Sequence, residues 1–353
     1  MDPVTHTLAG IALGNALFRK RAGRAAAPVM ALASNLPDLD AIVHLTGDPA
    51  AVLMRRTFGH SLFLLPLWCA GAAWLMLRFW PQVRYRPMLV MVGLGAAVHL
   101  FFDLINSFGV VLLWPFSTMR PELAWVFIID FVLTGILALP LLVALWPRMR
   151  GRIAQTSRAA LAAAGVYLAI CGALHAQSVR LLERAEGVAA RSGAIGPAGS
   201  GSGDSAAGDP ASGDDILPDA DWVEVDPAEA PPKPKPDFLY VFPEPLGPHR
   251  WRGVARVQDT YHLYLLHPLS GRAERRGRVP TRVTDPRVIA ARGTPFGRRI
   301  ENFFKAPVWE VAPDGRGAEA WDLRFKPLVV KREAVFRFRV PEAAGNAGGG
   351  DVP

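Results

Sequence analysis

The stretch that decides the fold of the first half of the chain is HLFFDLINSFGVVLLWPFS, residues 99–117. It continues an apolar run that begins at residue 88, and it reads like a membrane span apart from two residues. His99 and Asp103 lie four residues apart, a spacing that places both side chains on one face of a helix. An imidazole and a carboxylate at a position suited to hydrocarbon indicate a polar cluster inside the membrane.

The composition divides the chain into an apolar half and a polar half. Its 353 residues are 51% hydrophobic and 20% charged, with a mean hydropathy of +0.20. The lengths of the apolar runs predict four clear membrane spans, preceded by two weaker helices. The spans are 61–79, 88–113, 123–146 and 159–178, and the weaker helices are 4–18 and 25–45. We therefore expect an all-α polytopic membrane domain over residues 1–178.

The second half reads as a soluble β-rich domain behind a linker. Residues 179–236 should extend the last helix and then continue as a disordered linker rich in Gly, Pro and Asp. Short aromatic and β-branched runs between turns predict an antiparallel β domain of roughly six to eight strands over 237–341. Residues 342–353 are expected to form a disordered tail.

Basic loops predict the orientation of the membrane domain. Arginines at 78–87 and 147–158, and the RKRAGR cluster at 19–24, would lie on the cytoplasmic side of a bacterial-type inner membrane. The N-terminal apolar stretch has no basic residues before it, so we expect a retained segment and not a signal peptide. The β-rich domain would then lie on the non-cytoplasmic side.

Several ionisable residues interrupt the apolar half, and the predicted topology places them toward one face of the membrane. A buried charge without compensation costs at least ~2.5–3.5 kcal/mol at the bilayer centre, so these groups should pair with one another or with a cation. They are His6, Asp38, Asp40, His60, His99, Asp103 and Asp130.

Imidazoles and carboxylates without thiolates predict a divalent transition-metal site. Zn²⁺ is the first expectation, with Mn²⁺ or Fe²⁺ as alternatives, and the number of ligands allows one or two ions. A metal site of this kind would activate water for hydrolysis, and Asp130 or Asp40 could act as the general base. A phospholipid or other amphiphile in the bilayer is the expected substrate; no nucleic-acid partner is expected, and a protein partner is not indicated.

Two alternatives to a hydrolase follow from the same residues. Intramembrane His and Asp also form proton relays in transporters. The polar residues could instead lock helices together in a non-enzymatic structural or regulatory membrane protein.

The motifs THTLAG (5–10), NLPDLD (35–40), FGHS (58–61), the 99–117 stretch and VFIIDFVLTG (126–135) occur in this order. Together they resemble the LexA-binding, inner-membrane-associated hydrolase family, the YdjM-like membrane-bound metal-dependent hydrolases, over roughly residues 1–150. The resemblance implies an integral membrane protein with a metal-dependent hydrolase site. By matching motif, the implied functional positions are His6, Asp38, Asp40, His60, His99 and Asp103, with Asp130 downstream.

One motif departs from the family pattern. In RRTFGHS (55–61), Arg55 stands where the family usually has a further His, and Gly59 stands where it usually has Thr. The departure puts the number of metal ions in doubt. It also predicts that Arg55 and Arg56 lie at the outer mouth of the site, where they would hold an anionic substrate such as a phosphate.

Overall fold

The structure is a computed structural model that describes residues 1–187, 236–328 and 336–341. Most of the predicted linker (188–235) and the predicted tail (342–353) lie outside the described residues. The last helix of the first half ends at Ala185.

The described first half is helical. Its α-helices are α1 (Pro3–Leu13), α2 (Arg19–Ala22), α3 (Ala26–Ala33), α4 (Leu65–Met76), α5 (Tyr85–Ile105), α6 (Phe131–Val143) and α7 (Ile153–Ala185). Short 3-10 turns connect several of them, of which Pro37–Thr46, Pro49–Met54 and Phe58–His60 matter for the site.

The prediction of four clear spans is not supported. Among the described residues, two helical stretches are long and apolar enough to cross a bilayer, Tyr85–Ile105 and Pro147–Ala185. A third span results if the bent pair Ala50–His60 and Leu65–Met76, which meet at 77°, is taken as one broken crossing.

Two of the predicted spans, 88–113 and 123–146, are shorter than expected for local reasons. The chain leaves α5 at Asn106, whose backbone is extended and whose side-chain oxygen accepts a hydrogen bond from the Phe108 amide. The run 123–146 contains only the 13-residue α6, which begins after the Asp130 N-cap. Thirteen residues rise about 20 Å, which is shorter than a hydrocarbon core of about 30 Å.

Of the two weaker upstream helices, the first has its expected extent and the second is broken. The first consists of α1 followed by a π-helical turn, Gly14–Phe18. The second is broken, because α3 ends at Ala33 and a 3-10 turn begins at Pro37. An eight-residue α3 rises about 12 Å and does not cross a bilayer by itself.

The N-terminal helices pack closely around α5. A Cβ atom placed on Gly10 of α1 would lie 2.4 Å from the Met30 carbonyl oxygen of α3, so the two helices approach to backbone contact. Met30 and Ala33 of α3 share a buried core with Met91 and Val92 of α5. This packing brings the ends of α1 and α3 beside the His99 face of α5.

The second half confirms the predicted antiparallel sheet region. One sheet is a meander of four strands, β1 (Phe238–Pro243), β2 (Trp251–Val257), β3 (Thr260–His267) and β4 (Arg272–Pro280). A second sheet has three, β5 (Pro307–Val311), β6 (Ala318–Asp322) and β7 (Arg337–Val340). Two helices that the sequence reading did not predict, α8 (Pro286–Gly293) and α9 (Pro295–Phe303), lie between the sheets in sequence.

The two halves share a hydrophobic core. Leu53 and Phe108 from the helical half pack in one cluster with Phe303 and Phe325 from the second half. Arg324 extends from the second half to the segment after α5, where its guanidinium donates to the carbonyl oxygens of Ser107 (3.3 Å) and Phe108 (3.0 Å). The sheet region is therefore packed directly on the loop that follows His99 and Asp103.

Candidate metal centre

Four side chains from three segments converge inside the helical half. Asp38 comes from the Pro37–Thr46 turn, His60 from the Phe58–His60 turn, and His99 and Asp103 from one face of α5. Each offers one ligand atom, and the four atoms lie within 4.8 Å of one another. His60, His99 and Asp103 are fully buried, whereas the Asp38 side chain is 14% exposed. Three of the four donor side chains are thus fully buried, and Asp38 is the donor that solvent can reach.

The distances between the donor atoms suit one ion. His60 Nε2 lies 3.1 Å from His99 Nε2 and 3.1 Å from Asp103 Oδ2, and His99 Nε2 lies 3.4 Å from that same oxygen. Asp38 Oδ1 is 3.9 Å from both imidazole nitrogens. Neighbouring ligands of a tetrahedral Zn²⁺, with bonds of about 2.0–2.1 Å, are roughly 3.4 Å apart. The donor set therefore has the size of a single tetrahedral shell.

The outer nitrogens of both imidazoles are fixed by hydrogen bonds. His99 Nδ1 donates to the carbonyl oxygen of Ser34 (2.7 Å), and His60 Nδ1 donates to Asp40 Oδ2 (3.0 Å). A carbonyl oxygen only accepts, so the proton of a neutral His99 ring is on Nδ1, and its Nε2 carries a lone pair. If His60 likewise carries its proton on Nδ1, the lone pairs of His60 Nε2 and His99 Nε2 face each other across 3.1 Å. A cation between them relieves this repulsion, and the arrangement fits a metal ion.

A glycine allows the two turns to meet. A Cβ atom placed on Gly59 would lie 2.1 Å from the Pro37 carbonyl oxygen and 3.1 Å from Asp40 Cβ. The Thr57 amide beside it donates to Asp40 Oδ2 at 2.9 Å. The Gly in FGHS therefore lets the His60 turn pack against the PDLD turn, which holds Asp38 and Asp40 in place.

Asp103 has further partners besides the two imidazoles. His6 Nε2 donates to Asp103 Oδ1 (3.2 Å), and the His6 ring is stacked on His99 with 3.8 Å between ring centroids. Arg56 Nε lies 2.8 Å from Asp103 Oδ2, and the Met1 ammonium pairs with Oδ1. His6 thus lies beside the four-donor group as a partner of Asp103.

The two arginines expected at the mouth of the site occupy different places. Arg55 is partly exposed, 3.4 Å from Asp38 Oδ1. Arg56 is buried inside the site, donating to Asn106 Oδ1 at 3.2 Å and stacking on Phe108 with 4.4 Å from its guanidinium carbon to the ring centroid. Arg55 therefore lies where a substrate could approach, and Arg56 holds Asp103.

The two carboxylates expected to act as bases are also separated. Asp40 lies directly behind His60, and its Oδ1 is buried with no hydrogen-bond partner among the described residues. Asp130 caps α6, where its oxygens accept hydrogen bonds from the Leu133 amide (2.8 Å) and the Tyr167 hydroxyl (2.8 Å). The structure thus brings Asp40 to the cluster and gives Asp130 partners on α6 and α7.

The sequence reading missed two groups at the site. The Ser34 carbonyl that orients His99 carries no sequence signal, because every residue has a carbonyl. Asn106, whose amide donates to Asp103 Oδ1 (3.3 Å), lies three residues after Asp103 in the quoted stretch. That spacing places the two residues on one helix face and could have identified Asn106.

A second buried polar group lies where the sheet region covers the loop after α5. Glu122 pairs with Arg324 (3.5 Å) and with Lys305 (3.9 Å), and it accepts a hydrogen bond from the Tyr240 hydroxyl. Burial raises the pKa of the Glu122 carboxyl, although Arg324 and Lys305 oppose the shift. Burial also lowers the pKa of the Lys305 ammonium. These charges are therefore desolvated at the contact between the two halves.

Comparison with known proteins shows which family matches the helical half of the chain. The family described as YdjM inner membrane protein matches residues 1–178, which contain all four donors. The uncharacterized protein YfhP of Bacillus subtilis (strain 168) is 29% identical over 126 residues, covering 33% of this chain and 38% of that protein. The match thus spans well under half of that relative's length. No solved structure matches the chain.

Proposed function

This chain belongs to the YdjM inner membrane protein family, and from that premise we propose that it is a membrane-bound metal-dependent hydrolase. The observation that carries the proposal is the convergence of Asp38, His60, His99 and Asp103, with both outer imidazole nitrogens already hydrogen-bonded. Bound metal typically needs such outer partners, which orient the ligands.

We propose one divalent ion, held by these four residues, with Zn²⁺ as the first candidate and Mn²⁺ or Fe²⁺ as alternatives. Four protein donors complete a tetrahedral shell, so hydrolysis would require Asp38, the partly exposed donor that lies 3.9 Å from both imidazole nitrogens, to give up its position to water. A bound ion would then supply Lewis-acid chemistry and make that water nucleophilic near neutral pH. The donors comprise two carboxylates and two neutral imidazoles, with a formal charge of −2, and Arg56 and the Met1 ammonium already pair with one of these carboxylates, Asp103. A second ion is not part of this proposal, because His6 lies outside the four-donor group.

The remaining residues have separable roles in the proposal. Asp40 orients His60, and its unpartnered Oδ1 makes it our candidate for proton transfer. Arg55, beside the partly exposed Asp38, would bind an anionic group on the substrate. Asp130 as a base stays a prediction, which its contacts with Leu133 and Tyr167 do not support.

The proposed substrate is an ester or phosphoester of a membrane-associated amphiphile, with a phospholipid as the first example. The support is positional: the donors belong to, or lie beside, the apolar helix α5. The non-cytoplasmic location of the sheet region stays a prediction for this chain, and the LexA binding in the name of the resembling family is not part of the proposal.

The deciding experiment is elemental analysis of the detergent-purified protein beside the Asp103→Ala and His99→Ala variants. We expect about one equivalent of a transition metal in the parent and background levels in both variants, all three inserting equally into membranes. His249→Ala is the matched control, because this exposed histidine lies far along the chain in the β1–β2 turn. Activity would then be measured on p-nitrophenyl esters, p-nitrophenyl phosphodiesters and phospholipids.

One observation favours a second candidate, a non-enzymatic polar cluster that locks the helices. Arg56 already neutralises Asp103, and a single proton on either Nε2 would convert the His60–His99 contact into a hydrogen bond. This candidate requires a parent protein that contains no metal after expression in metal-replete medium and that gains no thermal stability from added Zn²⁺ or Mn²⁺. That result would overturn the hydrolase proposal.

A further inference from the structure

The four-stranded meander has two turns at one end and one turn at the other. Successive antiparallel strands reverse direction, so the β1–β2 turn and the β3–β4 turn share an end, and the β2–β3 turn lies opposite. We call residues 244–250 and 267–272 the hairpin tips. Seven residues of β2 separate the tips from Gln258 in the opposite turn, which is about 23 Å.

Helix α7 shows which end faces the membrane. Its apolar part leads up to His175, whose ring meets Trp251 at the start of β2 with 5.3 Å between centroids. Gln177 donates to the Pro268 carbonyl oxygen at 2.6 Å, in the second tip. Nine residues later, Glu186 meets His262 (3.2 Å), near the opposite turn. The helix therefore runs from the tips toward the far end, and the tips lie beside its apolar, membrane-crossing part.

The first tip also contacts the short apolar helix α6. A Cβ atom placed on Gly247 would lie 3.9 Å from Val132 Cγ2, at the start of α6. Val132 and the adjacent Phe131 are themselves exposed apolar residues. The tip is therefore continuous with the apolar surface that α6 presents outward.

Each hairpin tip presents an exposed leucine. Leu246 is 61% exposed in the first tip, and Leu269 is 75% exposed in the second. Basic residues flank both leucines: Arg250 follows the first, and Arg272 follows the second, sharing Glu274 with Arg276. Leucine beside arginine at the end of a membrane helix is the composition of a segment at the lipid interface.

We propose that the two hairpin tips are inserted into the interface of the bilayer, with Leu246 and Leu269 among the acyl chains and the flanking arginines on anionic phospholipid headgroups. The sheet region would then be anchored to lipid as well as tethered through α7. This inference uses neither the metal centre nor the hydrolase activity, and it holds for either orientation of the protein.

The test places a fluorescent label at three positions of the full chain. Leu246→Cys, Leu269→Cys and Gln258→Cys are labelled with bimane and reconstituted in phosphatidylcholine nanodiscs, with and without lipids brominated on the acyl chains. The native cysteines, Cys69 and Cys171, are buried, and the parent chain serves as the labelling control. We expect brominated lipid to quench the two tip labels strongly and the Gln258 label little.

Equal quenching at all three positions would overturn the proposal. So would tip labels that are shielded from aqueous iodide but not quenched by brominated lipid, since that result assigns the tips to a protein contact. The headgroup part is tested by adding phosphatidylglycerol: quenching at residue 269 should rise, and R272E should abolish the rise. R337E changes an exposed arginine of β7 and should leave the rise in quenching unchanged. If phosphatidylglycerol does not change the quenching at residue 269, the headgroup part of the proposal is contradicted.

Discussion

At the scale of single residues, Asp103 is where the buried polar contacts converge. Its two oxygens meet His6, His60, His99, Arg56 and the Met1 ammonium. A buried carboxylate is tolerated only when cations and donors replace its lost hydration. The cluster therefore depends on the groups that orient its members as much as on the four donors.

We predict that Asp40→Asn weakens metal binding without abolishing it. Both hydrogen bonds, from His60 Nδ1 and from the Thr57 amide, end on Asp40 Oδ2, which the amide oxygen of Asn can replace. The neutral amide accepts more weakly than the charged carboxylate, so His60 is held less firmly. Loss of such an outer partner typically costs about 10–100-fold in metal affinity. Competition with a chelator measures the change. His60→Ala, which removes a donor outright, should lose the metal entirely, and equal behaviour of the two variants would contradict the assigned roles.

Gly59→Ala should destabilise the protein and lower its metal content together. The added methyl would lie 2.1 Å from the Pro37 carbonyl oxygen, so the two turns that carry Asp38 and His60 must separate. We expect a loss of about 1–3 kcal/mol, the usual cost of overpacking. Gly71→Ala on α4 is the control, because its Cβ would meet nothing within 4 Å. Thermal unfolding and elemental analysis of both variants test this; unchanged metal in Gly59→Ala would contradict it.

At the scale of elements, the ends of helices decide the membrane topology. Helix α5 stops at Ile105 because Asn106 bonds the Phe108 amide, although the apolar run continues to residue 113. Helix α6 starts only at Phe131, after the Asp130 cap. Capping residues thus shorten two runs that hydropathy reads as complete spans.

Asp130→Ala should reduce stability and leave the metal content unchanged. The variant loses the cap of α6 and the hydrogen bond from Tyr167, which together are expected to cost about 1–3 kcal/mol. Tyr167→Phe removes only the second bond and should cost less. If Asp130 is the catalytic base, activity falls far more in Asp130→Ala than in another variant with the same loss of stability, and that outcome would support the prediction made from sequence.

At the scale of the whole molecule, the sheet region is connected to the candidate metal centre through one aromatic ring. Two guanidinium groups contact the Phe108 ring, Arg56 at 4.4 Å from its centroid and Arg324 at 5.5 Å. Arg56 in turn pairs with Asp103 Oδ2. We therefore predict that Arg324 helps to position Asp103, although it lies more than 200 residues away in sequence.

Arg324→Lys should weaken metal binding, by about 10-fold on the scale of other outer-partner losses. Lysine keeps the charge but cannot bind the Ser107, Phe108 and Phe303 carbonyls with one planar group. Arg252→Lys is the matched control: Arg252 is equally buried and binds two carbonyls, but only within the sheet region. Both variants should unfold at lower temperature, whereas only Arg324→Lys should release metal more readily below that temperature. Equal metal affinity in the two would contradict the positioning role.

The sequence by itself determined which residue types meet in the apolar half and that sheet follows helix. All four donors stand in sequence motifs that predict a polar site, because ionisable residues in an apolar run must be paired or bind a cation. Helix periodicity alone places His99 and Asp103 on one face. Only the tertiary structure decided which polar residues share one shell, because that depends on distances between segments. Packing of the Gly59 turn on Pro37 brought Asp38 to His60, and packing of α1 on α3 through Gly10 set His6 beside them. The fold also buried Arg56 in the cluster and gave Asp130 its bond from Tyr167, because burial and contacts between helices depend on neighbours that lie outside a single apolar run.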